Sequence, residues 1–472
     1  MMIGRAREID ILDSCLHSGR PEFIVVFGRR RVGKTFLIRE YFGDRFSFYA
    51  TGVAGVRTKE QLKIFHQALK EYGSAETAAP KDWFEAFARL KALLQQDKIR
   101  RDASSGRRVL FLDELPWMDS AKSDFKSALD YFWNSWASAQ KDIMLIVCGS
   151  ATSWIIGNIL TDRGGFYNRV TRRIHLGPFT LQECEALFDQ NHIVLTRKQI
   201  IECYMVFGGI PYYLNLFDRR LSLAQNIDEL IFSTYGELHH EYEELFQSLF
   251  KHAEKHYAII QALADKRMGI TRTELSSHPE IGDGEPLTKA LSELEESGFI
   301  RKYQGHPRQK QGFLYQLTDP FILFSLVFLK EKNLHSWQSF LHTPDYYAWR
   351  GNAFEIVCLN HVQAIKAKLG ISGVETSEYA WRSKKISPGA QIDLLIDRRD
   401  GIINLCEMKY TDEAFTIDQA YESQLMHKRE VFRQEMQPDK ALHITLITVS
   451  GLAKNNRNDI VQQVLNGEAL FL

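Results

Sequence analysis

The chain has 472 residues, which exceeds the size of a single hydrophobic core and predicts roughly two to four domains. Lys and Arg together number 59, as do Asp and Glu, so the formal net charge is zero. This balance excludes a chain-wide basic field that would attract nucleic acid without local patches. The six cysteines form no C-x-x-C pair, and the longest apolar stretch, residues 320–329, is too short to span a bilayer. Because the N-terminus also lacks a signal-peptide pattern, we expect a cytoplasmic protein without a membrane span, a zinc site or disulfides.

A glycine-rich loop follows the first predicted strand. Residues 23–27 form a short, continuous apolar run, which is typical of a strand buried on both faces of a parallel sheet. The segment 28–35 reads G-x-x-x-x-G-K-T, and a helical pattern begins directly after it. This order of strand, loop and helix predicts a P-loop, whose backbone N–H groups face phosphate oxygens at a helix N-terminus. The expected nucleotide-binding residues of the loop are Gly28, Arg29, Arg30, Arg31, Val32, Gly33, Lys34 and Thr35.

Two side chains of this loop are expected to contact the nucleotide and its metal. Lys34 would reach the β- and γ-phosphates of ATP, and the Thr35 hydroxyl would bind Mg²⁺. Gly28 and Gly33 would permit the tight backbone turns that bring the loop close to the phosphates. A basic turn in front of a helix is the alternative interpretation, but the order of the flanking elements favours the P-loop.

Two further strands are predicted to end at the same edge of this sheet. Residues 109–112 form an apolar run that continues into Asp113 and Glu114, the pattern of a Walker B strand. We expect Asp113 to hold Mg²⁺ and Glu114 to polarise the attacking water. Residues 143–148 form the third strand, and Ser150 follows it at the edge where parallel sheets bind ligands. Ser150 is therefore predicted to sense the γ-phosphate, and a simple helix N-cap is the alternative.

Several ordered motifs in the first half of the chain resemble those of the archaeal-type AAA ATPases, which are relatives of the STAND signalling ATPases. Besides the P-loop and the Walker B strand, they include Gly4 and Arg5 near the N-terminus and Pro211 in a Gly-Gly-Ile-Pro turn. The resemblance implies that Gly4, Arg5 and Pro211 lie against the adenine and ribose of ATP.

The resemblance also supplies a candidate arginine finger. Residues 166–169 (Phe-Tyr-Asn-Arg) resemble the family's Tyr-Gly-Arg segment, with Asn168 where the family has glycine. Arg169 is thereby expected to reach the phosphates bound by a neighbouring subunit, which would make the protein a homo-oligomer. Arg163 is the rival candidate, and a surface salt bridge is the alternative role of either arginine.

The segment 246–332 predicts three helices and a two-stranded wing. Three helical patterns are followed by two short β-rich runs at residues 299–303 and 312–317. This order indicates a winged helix-turn-helix, with Arg308 and Lys310 of the wing on DNA phosphates. The third helix, however, is rich in glutamate, and an acidic helix repels phosphates. A lid or packing domain of the ATPase is therefore the alternative.

The segment 333–472 carries a second set of charged residues. Glu355 lies in a predicted helix, and Asp393 lies early in a predicted strand. Glu407 and Lys409 lie on the next strand and share one of its faces, because side chains two apart in a strand point the same way. An Asp followed by Glu-x-Lys across a hairpin, with a helical Glu upstream, resembles the PD-(D/E)xK nuclease superfamily.

This second resemblance implies a Mg²⁺-dependent nuclease site. Asp393 and Glu407 would bind the metal, Glu355 would complete its shell, and Lys409 would orient or deprotonate the attacking water. The proline of the superfamily's name is missing before Asp393. A chance Glu-x-Lys match and a nuclease fold without cleavage activity are the alternatives.

Three more residues of this segment bear on the site. Tyr421 and Lys428, on the following predicted helix, are expected to face it. Asp397 lies close to Asp393 in the chain, but a turn residue before Gly401 is its simpler interpretation.

The fold expectation is therefore a multi-domain α/β chain. It comprises a P-loop ATPase core with an AAA-type parallel sheet (residues 1–180), a helical lid (181–245), a winged helix-turn-helix (246–332) and a restriction-endonuclease-like α/β domain (333–472). One hypothesis is an ATP-hydrolysing protein, with ATP and Mg²⁺ as cofactors, whose ATP cycle is coupled to a nuclease-like domain acting on DNA. The other is a STAND-like signalling switch whose C-terminal domain is an inactive partner-binding module.

Overall fold

The computed structural model describes residues 2–161, 164–166, 168–250, 253–266, 269–304, 313–329, 336–383 and 385–472. It divides into two compact units, Met1–Gly177 and Pro178–Leu472. Within the described ranges, none of the helices is long and apolar enough to cross a membrane.

A parallel sheet forms the centre of the first unit. Its helices are α1 (Ala6–Leu16), α2 (Lys34–Phe42), α3 (Thr58–Glu71), α4 (Trp83–Leu94), α5 (Leu115–Met118), α6 (Phe125–Ser135) and α7 (Thr152–Ile155), the last continued by a π-helical turn over Ile156–Leu160. Its strands are β1 (Glu22–Phe27), β2 (Phe48–Thr51), β3 (Arg108–Asp113), β4 (Ile143–Gly149) and β5 (Arg172–His175). The strands form one five-stranded sheet in the order β2-β3-β4-β1-β5, and every neighbouring pair is parallel. The predicted parallel P-loop sheet is confirmed.

Apolar side chains on both faces explain why three of these strands form the middle of the sheet. β1, β3 and β4 are buried along almost their whole length, as is typical of parallel strands covered by helices on both sides. On one face, α3, α4 and α6 contribute their apolar stripes to a core that includes Leu62, Phe87 and Phe132. The sheet is thereby fixed with the carboxyl ends of β1, β3 and β4 side by side at one edge.

The second unit begins with a helical segment and continues into a small antiparallel sheet. The helical segment contains α8 (Leu181–Gln190), α9 (Arg197–Phe207), α10 (Pro211–Leu214), α11 (Leu223–Ile227), a π-helical turn over Asp228–Phe232 and α12 (Glu241–Leu249). The next elements are α13 (Glu254–Asp265), β6 (Ile270–Thr271), α14 (Arg272–Ser276), α15 (Glu285–Glu296), β7 (Ile300–Gln304) and β8 (Phe313–Leu317). The three strands pair antiparallel in the order β6-β8-β7. The predicted wing residues Arg308 and Lys310 lie outside the described residues.

A mixed sheet forms the rest of the second unit. Its elements are α16 (Pro320–Phe328), α17 (Trp337–Phe340), α18 (Pro344–Asn360), α19 (Val362–Lys368), β9 (Thr376–Arg382), β10 (Gln391–Arg398), β11 (Ile402–Lys409), α20 (Gln419–Met436), β12 (Ala441–Thr448) and β13 (Gln463–Leu465). The sheet order is β13-β12-β11-β10-β9, in which β9, β10 and β11 are antiparallel and β11, β12 and β13 are parallel. Val431 and Phe432 of α20 pack with Trp381 and Leu395 of the sheet in one apolar core. This packing fixes α20 against the sheet beside β10.

A buried histidine joins the helical segment to the mixed-sheet part of the second unit. His361, directly after α18, accepts a hydrogen bond at Nε2 from the backbone N–H of Leu181 at 3.0 Å. Its Nδ1 therefore carries the proton, which it donates to the carbonyl oxygen of Val357 at 2.7 Å. Burial lowers the pKa of His361 to about 4, so the ring is neutral at pH 7.

We expect this histidine to make the second unit sensitive to acid. Between about pH 6.5 and about pH 4 the unfolded chain binds a proton at His361 that the folded chain does not bind. The neutral His361 ring therefore contributes about 3 kcal/mol to the free energy of unfolding above this pH range. This contribution is lost as the pH falls from about 6.5 to about 4. Urea unfolding at several pH values measures the effect. His361→Gln, which retains an acceptor for Leu181, should take up about one proton fewer on unfolding. Equal acid dependence of the two proteins would contradict the assignment.

Candidate functional site

The predicted P-loop connects β1 to α2 through a backbone that favours glycine at two positions. Gly28 and Gly33 have φ angles of 141° and 91°. A Cβ atom on Gly28 would approach the carbonyl oxygen of Leu176 to 2.2 Å, so a larger residue does not fit there. α2 begins at Lys34, directly after Gly33, and its first N–H groups are thereby directed into the loop. The loop has the form expected for binding a phosphate group.

Lys34 is buried within the loop. Its Nζ donates hydrogen bonds to the carbonyl oxygens of Gly28 at 2.9 Å and Arg29 at 2.8 Å. The side chain of Thr152 donates to the same Gly28 oxygen at 3.2 Å. Burial lowers the pKa of Lys34, which Asp113 and Glu114 nearby partly oppose. The ammonium group is thus held in the loop by neutral acceptors that a phosphate can replace.

Asp113 receives hydrogen bonds from three sides. The Thr35 hydroxyl donates to its two carboxylate oxygens at 3.0 and 2.9 Å, and the backbone N–H of Glu114 donates to Oδ1 at 2.9 Å. The Cys148 thiol of the neighbouring strand donates to Oδ1 at 2.6 Å. A hydroxyl and a carboxylate in contact are hard oxygen donors of the type that Mg²⁺ prefers, so these residues fit the expected metal.

Glu114 lies at the end of β3 and is held by Ser150 at the end of β4. The Ser150 hydroxyl donates to the two carboxylate oxygens of Glu114 at 3.0 and 2.9 Å, and the Ser150 backbone N–H donates to Oε2 at 3.1 Å. The N-cap of α7 is Ala151, so the alternative interpretation of Ser150 as an N-cap is wrong. Ser150 lies where the strand pattern predicted, and in this structure its partner is Glu114.

Arg5 supports the loop from outside. Its Nη2 donates to the carbonyl oxygens of Val32 at 3.2 Å and Gly177 at 2.8 Å. Both Gly4 and Arg5 have positive φ angles, close to 60°, in the turn that begins α1. Pro211 belongs to the second unit, where it begins α10. Contact of Gly4, Arg5 and Pro211 with adenine and ribose stays a prediction.

The other predicted arginines differ in exposure. Arg29 is buried, Arg30 and Arg31 are partly buried, and Arg169 is exposed at the surface of the first unit. Asn168 has a φ of 55°, a left-handed conformation that glycine adopts freely and asparagine tolerates. The turn expected before Arg169 is therefore retained despite the missing glycine. Arg163 and Tyr167 lie outside the described residues.

A second group of predicted residues lines one cavity of the second unit. This cavity, which we call the acidic cavity, has a volume of about 550 Å³. Its lining includes Glu355 of α18, Asp393 of β10, and Glu407 and Lys409 of β11. The fold thus brings a helix residue and three strand residues, which are far apart in the sequence, to one cavity.

The pairing of β10 with β11 explains the position of the two carboxylates. Leu394 pairs with Cys406, so one step further along the antiparallel ladder Asp393 comes opposite Glu407. Residues directly opposite each other point to the same face of a sheet. The side chain of Gln391 donates to Asp393 Oδ1 at 2.7 Å, which orients this carboxylate.

Glu407 is buried and paired with a lysine of α20. Lys428 Nζ donates to Glu407 Oε1 at 2.5 Å. Burial raises the pKa of Glu407, and the charge of Lys428 opposes this shift. The expectation that Lys428 faces the site is met, and its ion pair with Glu407 could not be read from the sequence. Tyr421 lies nearby, with its ring centre 5.3 Å from Lys409 Nζ.

The metal shell expected around Glu355 stays a prediction. No three His, Cys, Asp or Glu side chains in the described part of the chain form a group that could hold a metal ion. Glu355 lines the acidic cavity from a helix, whereas Asp393 and Glu407 lie on strands. Asp397 lies in β10 itself rather than in a turn, and Lys440 binds it at 2.6 Å. It does not belong to the cavity lining.

Sequence reasoning missed two neighbours of the carboxylates. Cys148 was assigned only to a buried strand, yet it contacts Asp113, and a polar atom at the end of a neighbouring parallel strand is a signal that could have identified it. Arg382 of β9 lines the acidic cavity, and no local pattern marks it.

We expect the P-loop residues to separate nucleotide binding from hydrolysis. Lys34→Ala removes the cation that contacts phosphate and should abolish binding of fluorescent ATP analogues. Glu114→Gln leaves the loop intact and should lower the rate of ATP hydrolysis by about 10²–10⁴-fold while binding persists. Lys98→Ala, an exposed lysine of the same unit, is the matched control and should hydrolyse ATP as wild type does. Hydrolysis at the wild-type rate by Glu114→Gln would exclude its role.

Parts of the chain are similar to proteins of known sequence or structure. Over 330 residues it is 26% identical to an uncharacterized protein of Methanocaldococcus jannaschii, which covers 69% of this chain and 68% of the relative. A Walker-type ATPase of Pyrococcus abyssi shares 18% identity and a TM-score of 0.49, over 69% of this chain and 96% of that one. The ORC2 protein of Aeropyrum pernix shares 14% identity and a TM-score of 0.42, over 68% and 92% of the two chains.

The match to a protein family is confined to the part of the chain that contains the P-loop. Residues 2–217 match the family described as an ATPase domain predominantly from Archaea. This range includes the loop, Asp113, Glu114 and Ser150, whose geometry is that of a nucleotide site. Residues 2–217 therefore form a P-loop ATPase domain, a class of domain that generally binds ATP and Mg²⁺.

Proposed function

We propose that the ATP cycle of the first unit controls Mg²⁺-dependent cleavage of DNA at the acidic cavity of the second. The observation that carries this proposal is the convergence of Glu355, Asp393, Glu407 and Lys409 on a single cavity. A chance Glu-x-Lys match would have no reason to share its cavity with an aspartate of the next strand and a glutamate of a helix. The arrangement supports a restriction-endonuclease-like domain.

The side chains of the cavity have distinct roles in this proposal. Asp393 and Glu407, opposite each other on adjacent strands, would hold Mg²⁺, which supplies polarisation of the scissile phosphate. Lys409 would orient the attacking water and offset the charge that develops on the phosphate. Glu355 would act from the cavity wall as an acceptor for that water rather than as a metal ligand. Lys428 would neutralise Glu407 until the metal arrives.

The elements between α13 and β8 support a winged helix-turn-helix that packs rather than reads DNA. The order of three helices and three antiparallel strands is that of a winged helix. Its third helix, α15, carries four glutamates and one lysine, and Glu293 binds His256 of α13 at 2.9 Å. Such a helix is unsuited to phosphates, so we assign this module to support of the mixed-sheet domain.

The cleavage proposal is tested with labelled linear and closed circular DNA, Mg²⁺ and ATP. We expect wild type to cleave, and Asp393→Ala and Lys409→Ala to lose at least about 10²-fold in rate, because each removes a group that acts only in the transition state. Asp397→Ala is the matched control on the same strand, since Asp397 binds Lys440 outside the cavity. Adding chelator should stop cleavage completely. Equal rates for Asp393→Ala and Asp397→Ala would refute the proposal.

A second function is favoured by the ion pair inside the cavity. Lys428 already neutralises Glu407, and no group of three metal-binding side chains is found in the described ranges. Both features fit a STAND-like switch in which the C-terminal domain only binds a partner. Arg169, exposed on the first unit, fits a finger between subunits of such a switch.

The switch function makes its own prediction for Arg169. If subunits assemble around ATP, mass measurement in solution should show larger species with a non-hydrolysable ATP analogue than with ADP. Arg169→Ala should retain ATP binding, since it lies outside the loop, and lose at least about tenfold in hydrolysis rate at assembling concentrations. Hydrolysis by Arg169→Ala equal to wild type at every protein concentration would exclude the finger.

A further inference from the structure

We infer that the second unit binds an unpaired nucleotide at a DNA strand end, in a pocket beside Asp393 that the winged-helix-like segment completes. This inference rests on the proposed nuclease function, because it takes the acidic cavity as the place where the phosphodiester is attacked. It adds the class of substrate, DNA with a single-stranded end, to the proposed reaction.

Asp393 borders two cavities. One is the acidic cavity, and the other, which we call the side pocket, has a volume of about 410 Å³. Because Asp393 and its neighbour Leu394 form part of the side pocket's wall, a group bound there lies next to the predicted cleavage position. Both volumes are in the range of small-ligand sites and hold a nucleotide rather than a duplex.

The lining of the side pocket has the chemistry of a nucleobase site. Tyr303 of β7 supplies an aromatic ring, and bases stack on such rings without sequence preference. Gln316 and Gln363 supply amides, which donate and accept hydrogen bonds at base edges. Lys302 and the carboxylates Glu378 and Asp393 also belong to the lining.

The wall that comes from the winged-helix-like segment is held in place by Arg301. Its guanidinium donates to the carbonyl oxygen of Leu359 at 3.1 Å and to Asn360 Oδ1 at 3.1 Å. Asn360 in turn donates to the carbonyl oxygen of Thr318, after β8, at 3.0 Å. Burial lowers the pKa of Arg301 to about 10, so the group remains charged at neutral pH. β7 is thereby fixed to the end of α18, and the pocket is formed without a ligand.

Arg301 also carries an unused donor. Its Nε is buried and has no hydrogen-bond partner in the described part of the chain, although burying such a group unpaired is costly. Other atoms of Arg301 contribute to the lining of the side pocket.

A base can enter such a pocket only if it is unpaired. Bases inside a duplex are stacked and must be extruded before a protein pocket can accept them, which is energetically unfavourable. A base at a single-stranded end is already available. We therefore expect the second unit to prefer DNA with unpaired ends over closed duplex.

The experiment measures binding by fluorescence anisotropy with the full chain and with chelator present, so that no cleavage occurs. The probes are a labelled single-stranded oligonucleotide and a dumbbell duplex of the same sequence, closed at both ends. Wild type should bind the single strand about tenfold more tightly than the dumbbell. Tyr303→Leu, which removes the aromatic ring and keeps an apolar side chain, and Gln363→Ala, at an exposed position, should each reduce this preference severalfold. Tyr235→Ala, an exposed tyrosine outside the pocket, is the control and should bind as wild type does.

The outcomes separate this inference from the proposed function. A single-strand preference that Gln363→Ala weakens supports the inference even if Mg²⁺ yields no cleavage, a result that would remove the nuclease function alone. Equal binding of both probes, or variants that bind as wild type does, would overturn the inference. Cleavage of the dumbbell as fast as of open-ended DNA would also overturn it, while the nuclease function would stand.

Discussion

The parallel pairing of β1, β3 and β4 is the constraint on which the nucleotide site depends. Parallel strands end at a common edge, so Gly28, Asp113 and Ser150 meet there although they are far apart in the chain. Register matters as much as order. Leu112 pairs with Val147, and a slip of one residue in β3 would turn Asp113 to the other face, away from Thr35. These strands are apolar on both faces, so their own sequence does not fix the register. The helices that pack on the two faces of the sheet are also needed to prevent such a slip.

The same reasoning applies to the acidic cavity with an antiparallel pair. In β10 and β11, successive side chains point to opposite faces of the sheet. Leu394 pairs with Cys406, so the next pair along the ladder is Asp393 and Glu407, whose side chains point to the same face. β11 is also paired with β12 along its whole length, which fixes the position of Glu407 and Lys409 along the strand direction. A short local motif thus acquires a defined geometry from pairings on both sides.

The sequence could predict those features whose signal is local. The P-loop, the strand that ends in Asp113 and the Glu407-x-Lys409 pattern are each read within a few residues, and the structure places them at strand ends or on one strand face. Partners could not be predicted, because Ser150 with Glu114 and Lys428 with Glu407 meet only through tertiary packing. β9 was missed for a different reason, since its exposed and buried residues do not alternate clearly. The role of Glu355 stays a prediction, because a family's ligand set does not specify how far a helix stands from a sheet.

Both sites bury charge, and their partners differ in how readily a ligand can replace them. Lys34 is held by two carbonyl oxygens, which are neutral, so phosphate oxygens can take their place with a gain in charge interaction. Glu407 is held by a cation, and a metal ion must compete with Lys428 for it. Removing Lys428 from Glu407 without a replacement would leave a buried carboxylate unpaired, which is strongly unfavourable. The P-loop is therefore prepared to accept its ligand, whereas the divalent cation proposed for the acidic cavity would have to displace the ammonium group of Lys428 from Glu407.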